Sequence, residues 1–300
     1  MIDDDVYEKY MLAGKIAATA RDNGAKLIKE GVSYLEVATA VESEITKQGA
    51  GLSFPVNISI NDIAAHFTPR HDDSLLIFQK GDVVKLDVGS HIDGYIADTA
   101  LTVEIGTNNY ADMIKASRNA LEKAIETIKA GVDLADIGKA IEETIASYGY
   151  RSIDNLTGHS LERYTLHSGI SVPNVSRRER GQISAGDVLA VEPFATDGAG
   201  HVASGSGSNI YRYDPSVRSR LIRDTKSRFL ANTIHNKFNT LPFAERWCID
   251  VLPNTDISLK KLLFAKCIKH YPQLIDSGKG IVTQAEHTLI VNEDGCEITT

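Results

Sequence analysis

The 300-residue chain contains an internal repeat, and a repeat constrains architecture more firmly than local propensity does. The run GVSYLEV at residues 31–37 recurs as GVDLADI at residues 131–137, 100 positions later. Downstream, GDVVKLD at residues 81–87 is echoed 105 positions later by GDVLAVE at residues 186–192, so an acidic residue closes each of these runs. The chain is therefore predicted to fold as two related halves.

Each copy of the repeat predicts two helices followed by strands. Ser33 and Asp133 stand directly after a glycine turn and are predicted to be helix N-caps. Four β-rich stretches follow, at residues 83–88, 95–103, 188–194 and 286–291. Helix pairs beside antiparallel strands make an α+β domain, in which a pseudo-twofold axis would bring the matching acids Asp87 and Glu192 to a shared centre.

A basic segment at about residues 211–271 interrupts the second half and has no counterpart in the first. Residues 201–271 carry twelve Lys and Arg against five Asp and Glu, a net charge of +7 in a chain of net charge −8. Helical patterns at about 217–238 and 257–270 predict an inserted helical subdomain. Its basic charge fits either a solvated helical surface or contact with a polyanion such as a ribosome.

The expected location of the protein is the cytoplasm. Its N-terminus, MIDDDVYEKY, is acidic and lacks the basic and apolar regions of a signal peptide. No run approaches the roughly 18 apolar residues that span a bilayer. We therefore expect no membrane association, and no motif predicts specific recognition of nucleic acid.

Two aspartates are predicted to share one face of a hairpin. The pair Asp93-Gly94 predicts a two-residue turn, which pairs residue 87 with residue 100 and places Asp87 and Asp98 side by side. Two carboxylates buried in a sheet are costly unless a cation neutralises them. From the hairpin alone, a metal site and a solvent-facing pair both remain open.

Further acids and a histidine favour the metal site. Glu192 follows the apolar stretch 188–191, Glu286 precedes another at residues 287–291, and His159 stands after a glycine. Four carboxylates and one imidazole form an oxygen-rich set that suits a pair of ions such as Mn, Co, Fe or Zn better than one structural zinc. A dinuclear site of this kind predicts hydrolysis.

Five motifs in this order resemble methionine aminopeptidases of the pita-bread metallopeptidase family. They are AAHFTP (64–69), GDVVKLDVGSHIDGYIADTA (81–100), GHS (158–160), VEPF (191–194) and QAEHT (284–288), and they cover nearly the whole chain. The insertion before Glu286 is similar to that of type 2 enzymes, and the short N-terminus resembles their archaeal form. The pita-bread fold is itself an internal α+β duplication, in agreement with the repeat.

The resemblance implies an activity and a division into domains. A metal-dependent aminopeptidase would remove the initiator methionine from nascent proteins whose second residue is small, through attack of a metal-bridging hydroxide on the peptide carbonyl. One catalytic domain would comprise halves of about 1–105 and 106–300, with a winged-helix-like insertion at about 211–271. We expect two divalent ions per chain, of Co, Mn, Fe or Zn. Nascent polypeptide N-termini are the expected partners, with the ribosome reached through the insertion, and the protein is expected to be a monomer.

The resemblance also implies roles for individual residues. It makes Asp87, Asp98, His159, Glu192 and Glu286 the metal ligands, and it gives Glu192 a second role as proton shuttle. His66 would stand near the scissile nitrogen, and His167 would donate to the carbonyl oxygen. Phe54, Phe194 and Tyr271 would line the pocket for the methionine side chain.

Two alternatives remain open at this point. A proline-specific dipeptidase or aminopeptidase P shares the five ligands, but it usually carries a separate N-terminal domain of more than a hundred residues. A non-catalytic relative that binds RNA or regulates growth keeps the fold but lacks several ligands, whereas all five are present here.

Overall fold

Two helix pairs occupy equivalent places in the chain. The computed structural model describes residues 2–176, 181–217, 222–252 and 255–300. The pairs are α1 (Asp4–Leu27) with α2 (Tyr34–Lys47), and α3 (Ala111–Thr127) with α4 (Leu134–Ser147). Both predicted N-caps are confirmed: Ser33 Oγ accepts from Glu36 N at 3.0 Å, and Asp133 Oδ1 accepts from Ala135 N at 2.9 Å.

The first half ends in a long hairpin. Its strands are β1 (Gly51–Leu52), β2 (Asn57–Ile60), β3 (Ile63–Ala65), β4 (Val83–Ile92) and β5 (Tyr95–Glu104). β4 pairs with β1 and β2 along one edge and with β5 along the other. Asp93 and Gly94 form the turn with φ of 52° and 88°, the positive values that a tight two-residue turn requires.

The second half repeats this order of elements. It continues with β6 (Arg151–Ser152), β7 (Thr157–Ser160), β8 (Ser171–Pro173), β9 (Val188–Val191) and β10 (Phe194–Thr196). The single strand predicted at residues 188–194 is thus two strands. Pro193 has no N–H to donate, so the ladder of β9 ends before it and the chain turns into β10.

The insertion has an apolar core of its own. It contains β11 (Val202–Tyr213), α5 (Thr225–Phe238), β12 (Phe243–Ala244), a 3-10 helix (Glu245–Val251), α6 (Thr255–Phe264) and β13 (Ile268–Asp276). Its buried cluster includes Leu230, Ile234, Phe243, Leu262 and Ile268. Part of the helical pattern predicted at 217–238, residues 218–221, lies outside the described residues.

The second predicted helix of the insertion was too long. α6 ends at Phe264, and residues from Ile268 onward form β13, which pairs with β11 and also with β3 of the first half. Lys266 has φ of 57°, so the chain leaves the helical conformation there. Pairing with residues more than fifty positions away overrides the local helical pattern.

The last strands close the sheet of the second half. They are β14 (Val282–Gln284), β15 (His287–Val291) and β16 (Cys296–Ile298), and the order in the larger sheet is β16-β15-β9-β7-β8. Ala100 and Glu286 exchange backbone hydrogen bonds of 3.4 and 3.0 Å, which join β5 to this sheet. The helix pairs pack against the outer faces of the sheets. No helix among the described residues is long and apolar enough to cross a membrane.

Candidate metal centre

The hairpin places two aspartates at the centre of the molecule. Asp87 pairs with Ala100 and Asp98 with Gly89, so the two carboxyl groups share one face of the sheet, as the turn predicted. Asp98 is 4% exposed, and Asp87 and Asp98 line the same pocket. The interpretation of a solvent-facing pair is therefore wrong for Asp98.

The second half contributes the remaining three candidate ligands to the same pocket. His159 lies on β7, Glu192 follows β9, and Glu286 precedes β15. His159 Nε2 lies 3.6 Å from Asp98 Oδ2 and 3.7 Å from Glu192 Oε1. Single ligand atoms of Asp98, His159 and Glu286 lie within 4.8 Å of one another, a separation that one cation can bridge. The fold thus brings all five predicted ligands together.

Gly158 is required by the packing that presents His159. A Cβ atom at Gly158 would lie 2.3 Å from the carbonyl oxygen of Ala190 on the neighbouring strand β9. No side chain fits at that distance, so the close approach of β7 to β9 depends on glycine. The imidazole of His159 is consequently held against the carboxylates.

Burial and mutual repulsion perturb the titration of the cluster. Burial raises the pKa of Asp87 from 3.8 to about 7. Burial, followed by repulsion from neighbouring carboxylates, raises the pKa values of Asp98, Glu192 and Glu286 well above their usual range. Burial lowers the pKa of His159 to about 3, so its imidazole is neutral and can serve as a ligand.

The unpaired acceptors in this cluster fit a divalent cation. Asp87 Oδ1 and Asp98 Oδ1 are buried and have no hydrogen-bond partner. The amide of Gln284 gives only long contacts, 3.4 Å to Glu192 Oε2 and 3.3 Å to Glu286 Oε2. Carboxylate oxygens with one neutral imidazole are the ligands that Mn, Co, Fe and Zn accept. A bound cation would compensate the charge that the protein leaves unpaired.

Two imidazoles that are not in the ligand cluster line the same pocket. His66 follows β3, and its ring packs edge-on against Tyr271 with centroids 5.2 Å apart. His167 is exposed at the mouth, with its ring centroid 4.3 Å from that of His159. Burial lowers the pKa of His66 to about 4. Although the His167 side chain is exposed on one side, its contact with the pocket partly desolvates it, and this, followed by repulsion from Arg212, lowers its pKa as well. Neutral imidazoles can donate one N–H without repelling a bound cation.

His66 has a backbone conformation that is costly for a residue other than glycine. Its φ is 64°, in the left-handed region. Such a conformation costs about 1–3 kcal/mol and persists only where the surrounding structure enforces it, often at functional sites. The imidazole therefore owes its place in the pocket to contacts of the neighbouring residues.

The loop that carries His167 is held by the hairpin turn. Tyr164 N donates to Gly94 O at 2.8 Å, and Arg163 Nε donates to Asp93 O at 2.8 Å. Thr240 of the insertion donates its hydroxyl to Tyr164 O in a short hydrogen bond. The position of His167 thus depends on both the first half and the insertion.

The apolar wall of the pocket contains two of the three predicted aromatic residues. Phe54 and Tyr271 line it, together with Ala65, Leu166, Ile210 and Pro242. Phe194 does not line it among the described residues. Its side chain is 1% exposed and packs against Ala64, Ile153, Val202 and Val282, because the chain has turned into β10 at this point.

The structure adds Asn57 and Gln284 to the pocket region. Asn57 pairs with Asp87 across β2 and β4, is 4% exposed, and leaves its Oδ1 atom without a partner. Sequence reasoning missed it because residues 57–60 were not predicted as a strand. Gln284 stands two positions before Glu286 in an extended segment. That period-two spacing is the signal that could have identified it.

Comparisons with known proteins agree with this geometry. The family model described as metallopeptidase family M24 matches residues 8–224. A methionine aminopeptidase of Methanocaldococcus jannaschii is 49% identical over 296 residues, which cover 98% of both chains. A solved structure of a thermophilic Arx1 has a TM-score of 0.87 at 18% identity, covering 100% of this chain and 91% of its own. A methionine aminopeptidase of Thermotoga maritima has a TM-score of 0.72 at 22% identity, with coverages of 100% and 98%. The two structural likenesses establish the fold.

Proposed function

The chain belongs to metallopeptidase family M24, and we propose that Asp87, Asp98, His159, Glu192 and Glu286 hold the metal with which it removes the initiator methionine from new proteins. The fold is the pita-bread fold, and the protein is a methionyl aminopeptidase of the archaeal type. The observation that carries the assignment of the five ligands is their convergence on one buried pocket that leaves two acceptors unpaired.

The substrate is a nascent chain whose first residue enters this pocket. Bound there, divalent cations would act as Lewis acids and lower the pKa of water towards neutrality. We assign to Glu192 the acceptance of the proton from the attacking water, because its carboxylate lines the pocket and lies 3.7 Å from His159 Nε2. The amide Nε2 of Gln284 makes only a long contact of 3.4 Å with Glu192 Oε2.

The two neutral imidazoles act on the peptide bond. His167, at the mouth, donates to the carbonyl oxygen as negative charge develops there, and His66 stands beside the scissile nitrogen. A low pKa keeps both rings neutral at pH 7, so each retains one N–H to donate. A donor aimed at a developing oxyanion contributes about 10²–10³ to the rate.

The side chain of the substrate methionine packs against Phe54 and Tyr271. These two residues support the proposal because they form the aromatic part of the pocket wall. The second residue of the substrate is proposed to be small on the strength of the similarity to methionine aminopeptidases.

The experiment that tests this function compares substrates after metal reconstitution. The protein should release methionine from Met-Ala-Ser, and release should fall across a Met-X-Ser series as X grows. N-acetylated Met-Ala-Ser is the matched control, because an exopeptidase needs a free amine. Cleavage of Xaa-Pro peptides without release of methionine would support the proline-specific alternative instead.

The family and the ligand cluster indicate that the protein uses a divalent metal. We propose that each chain binds two such ions. Five ligands with four carboxylates offer more donor atoms than one ion of Co, Mn, Fe or Zn requires. Elemental analysis of the purified protein with titration calorimetry of the chelated form tests this number. A plateau at one ion per chain, with full activity, would contradict it.

The insertion is proposed to contact the ribosome while the protein acts in the cytoplasm as a monomer. One face of α6 exposes Ile257, Lys260, Lys261 and Phe264, at spacings of three and four residues. The lysines would contact the phosphates of an anionic surface such as the ribosome, and the apolar residues beside them would contact protein at the edge of that surface. Salt-dependent cosedimentation with ribosomes that is lost in K260E/K261E supports the contact. Equal cosedimentation of that variant would contradict it.

We also propose the division of the chain into halves of about 1–105 and 106–300, with the insertion at about 211–271. Separate apolar clusters support this division, one beneath each helix pair and one inside the insertion. A winged-helix-like character is supported by α5 and α6 packing beside β11 and β13. Limited proteolysis that cuts first within the boundaries of the insertion tests it.

A further inference from the structure

A buried arginine of the insertion reaches into the first half. Arg246 lies in the 3-10 helix, and its side chain is 6% exposed. Its Nη1 atom donates to Thr68 Oγ1 at 2.7 Å and to Pro69 O at 2.9 Å. These bonds join residues about 180 positions apart in the chain, so they exist only in the folded protein.

The guanidinium is held in this orientation by Glu42 of α2. Arg246 Nη2 forms a short ion pair with Glu42 Oε1. The same carboxylate accepts from Val56 N at 3.2 Å and from Trp247 Nε1 at 2.9 Å, so both of its oxygens are used. Glu42 is 8% exposed, and removing one partner of such a pair would leave a buried charge alone.

The bonds converge on the two segments that form one side of the active-site pocket. Thr68 is completely buried, and its hydroxyl also donates to Val56 O at 2.7 Å. Thr68 stands two positions after His66, and Val56 adjoins Asn57 and follows Phe54 by two positions. Arg246 and Glu42 thus connect the backbone of two segments that each contain residues lining the pocket.

The backbone of His66 is strained, so the surrounding contacts must hold it in place. A residue with φ of 64° relaxes to negative φ unless its neighbours prevent it. Thr68 N donates to Ser208 O at 3.2 Å and Asn209 Nδ2 donates to Thr68 O at 2.8 Å, but these bonds hold only the backbone of Thr68. Arg246 is the charged group that holds the Thr68 side chain and the following carbonyl together.

We propose that Arg246 is a positioning residue for the aminopeptidase reaction. By holding Thr68 and Pro69 against Glu42, it keeps His66 in its left-handed conformation and its imidazole in the pocket. The insertion is then part of the active-site architecture as well as a surface for partners. This inference rests on the proposed role of His66, so its test includes a measurement that does not depend on activity.

The test compares R246K with W247F in the metal-loaded protein. R246K keeps the charge but loses the forked contacts to Thr68 and Pro69, so kcat/KM for Met-Ala-Ser should fall by roughly 10–100-fold, mainly through kcat. W247F removes a hydrogen bond to the same Glu42 carboxylate and leaves the contacts of Arg246 to Thr68 in place. Its thermal midpoint should fall while kcat/KM stays within about threefold of the wild type.

A double-mutant cycle separates positioning from plain stability. In an H66A background, R246K should change kcat/KM by less than about threefold, because the residue that it positions is gone. T68V keeps the shape of Thr68 but removes its hydroxyl. If R246K folds poorly, T68V takes its place in the experiment and should show the same loss of kcat/KM. Equal losses from R246K in the wild-type and H66A backgrounds would mean that Arg246 is only structural.

The activity-independent measurement is the imidazole proton resonance of His66 in NMR spectra. The resonance should move in R246K and T68V and should stay in place in W247F. An unmoved resonance in R246K overturns the positioning role, whatever the kinetics show. Absence of methionine release from the wild type would overturn the proposed function, while a moved resonance would still support the structural connection between Arg246 and His66.

Discussion

Asp98 and Thr288 are joined by two hydrogen bonds although they stand 190 positions apart. Asp98 N donates to Thr288 Oγ1 at 2.8 Å, and the same hydroxyl donates to Asp98 O at 2.8 Å. One side chain of β15 therefore satisfies the backbone of a candidate ligand on β5. Through this contact the sheet of the second half fixes the position of a carboxylate from the first.

The substitution T288V should weaken both stability and metal binding. It keeps the volume of the side chain but leaves the N–H and C=O groups of Asp98 buried without partners, which costs about 1–3 kcal/mol of the free energy of unfolding. Loss of a group that orients a ligand typically lowers metal affinity by about 10–100-fold. Urea unfolding and calorimetric metal titration measure the two effects.

T283V is the matched control for that experiment. Thr283 is also completely buried, and its hydroxyl donates to Met113 O at 3.0 Å, away from the ligands. It should lose stability and keep its metal affinity. Equal metal affinities of T288V and T283V would show that the bonds of Thr288 do not orient Asp98.

The substitution E286Q should have opposite effects on the metal-free and metal-loaded protein. Removing one of four crowded carboxylates relieves repulsion, so the thermal midpoint of the chelated protein should rise by several degrees. The same change removes an anionic ligand and should abolish measurable methionine release. Calorimetry of the chelated protein and a peptide assay test both parts, with E293Q at an exposed position as the control. Wild-type activity in E286Q would exclude Glu286 as a ligand.

The stability of the metal-free protein should fall as pH rises from 6.5 to 8. The folded-state pKa of Asp87 is raised to about 7, so its contribution to stability is complete below pH 3.8, decreases above that pH and is lost once pH has risen through about 7. The raised pKa values of Asp98, Glu192 and Glu286 act in the same direction.

The neutral imidazoles set the lower limit of this window. The pKa values of His66 and His159 are lowered to about 4 and about 3, so their contributions are present above pH 6.5 and are lost as pH falls further. The test measures thermal midpoints of the chelated protein across pH 6.5–8 and compares them with those of the metal-loaded protein. In this range the carboxylates are tested separately from the histidines. A flat profile for the chelated form would contradict the raised pKa values.

The substitution H167A should lower kcat by about 10²–10³ with little change in KM, because its proposed hydrogen bond forms as charge develops on the carbonyl oxygen. Steady-state kinetics with Met-Ala-Ser measure the two constants. The exposed His201 is the control: it pairs with Asp154 at 2.6 Å and does not line the pocket, so H201A should retain wild-type kinetics. A change in KM alone would assign His167 to substrate binding.

The features that were predictable from the sequence depend on short-range rules. Asp93 and Gly94 form a turn of known geometry, and that turn determines which face of the hairpin carries Asp87 and Asp98. Ser33 and Asp133 cap their helices through contacts two or three residues away. The repeat then relates Asp87 to Glu192 without any knowledge of the tertiary contacts.

Other features could not be predicted because partners far apart in the chain decide them. Residues 268–270 continue a helical pattern, yet they form a strand because β11 lies beside them. Phe194 has the aromatic character of a pocket residue, but its neighbours from four different segments enclose it in the core. Local propensity carries no information about such neighbours.

The sequence by itself determined the two halves, the hairpin register and the family motifs, because periodicity and turn chemistry act within a few residues. Only the tertiary structure decided that Thr288 holds Asp98, that Asn57 lies beside Asp87, and that Arg246 reaches Thr68. These contacts arise when separate segments pack together and buried polar groups must find partners, a requirement that is met in three dimensions and leaves no pattern along the chain.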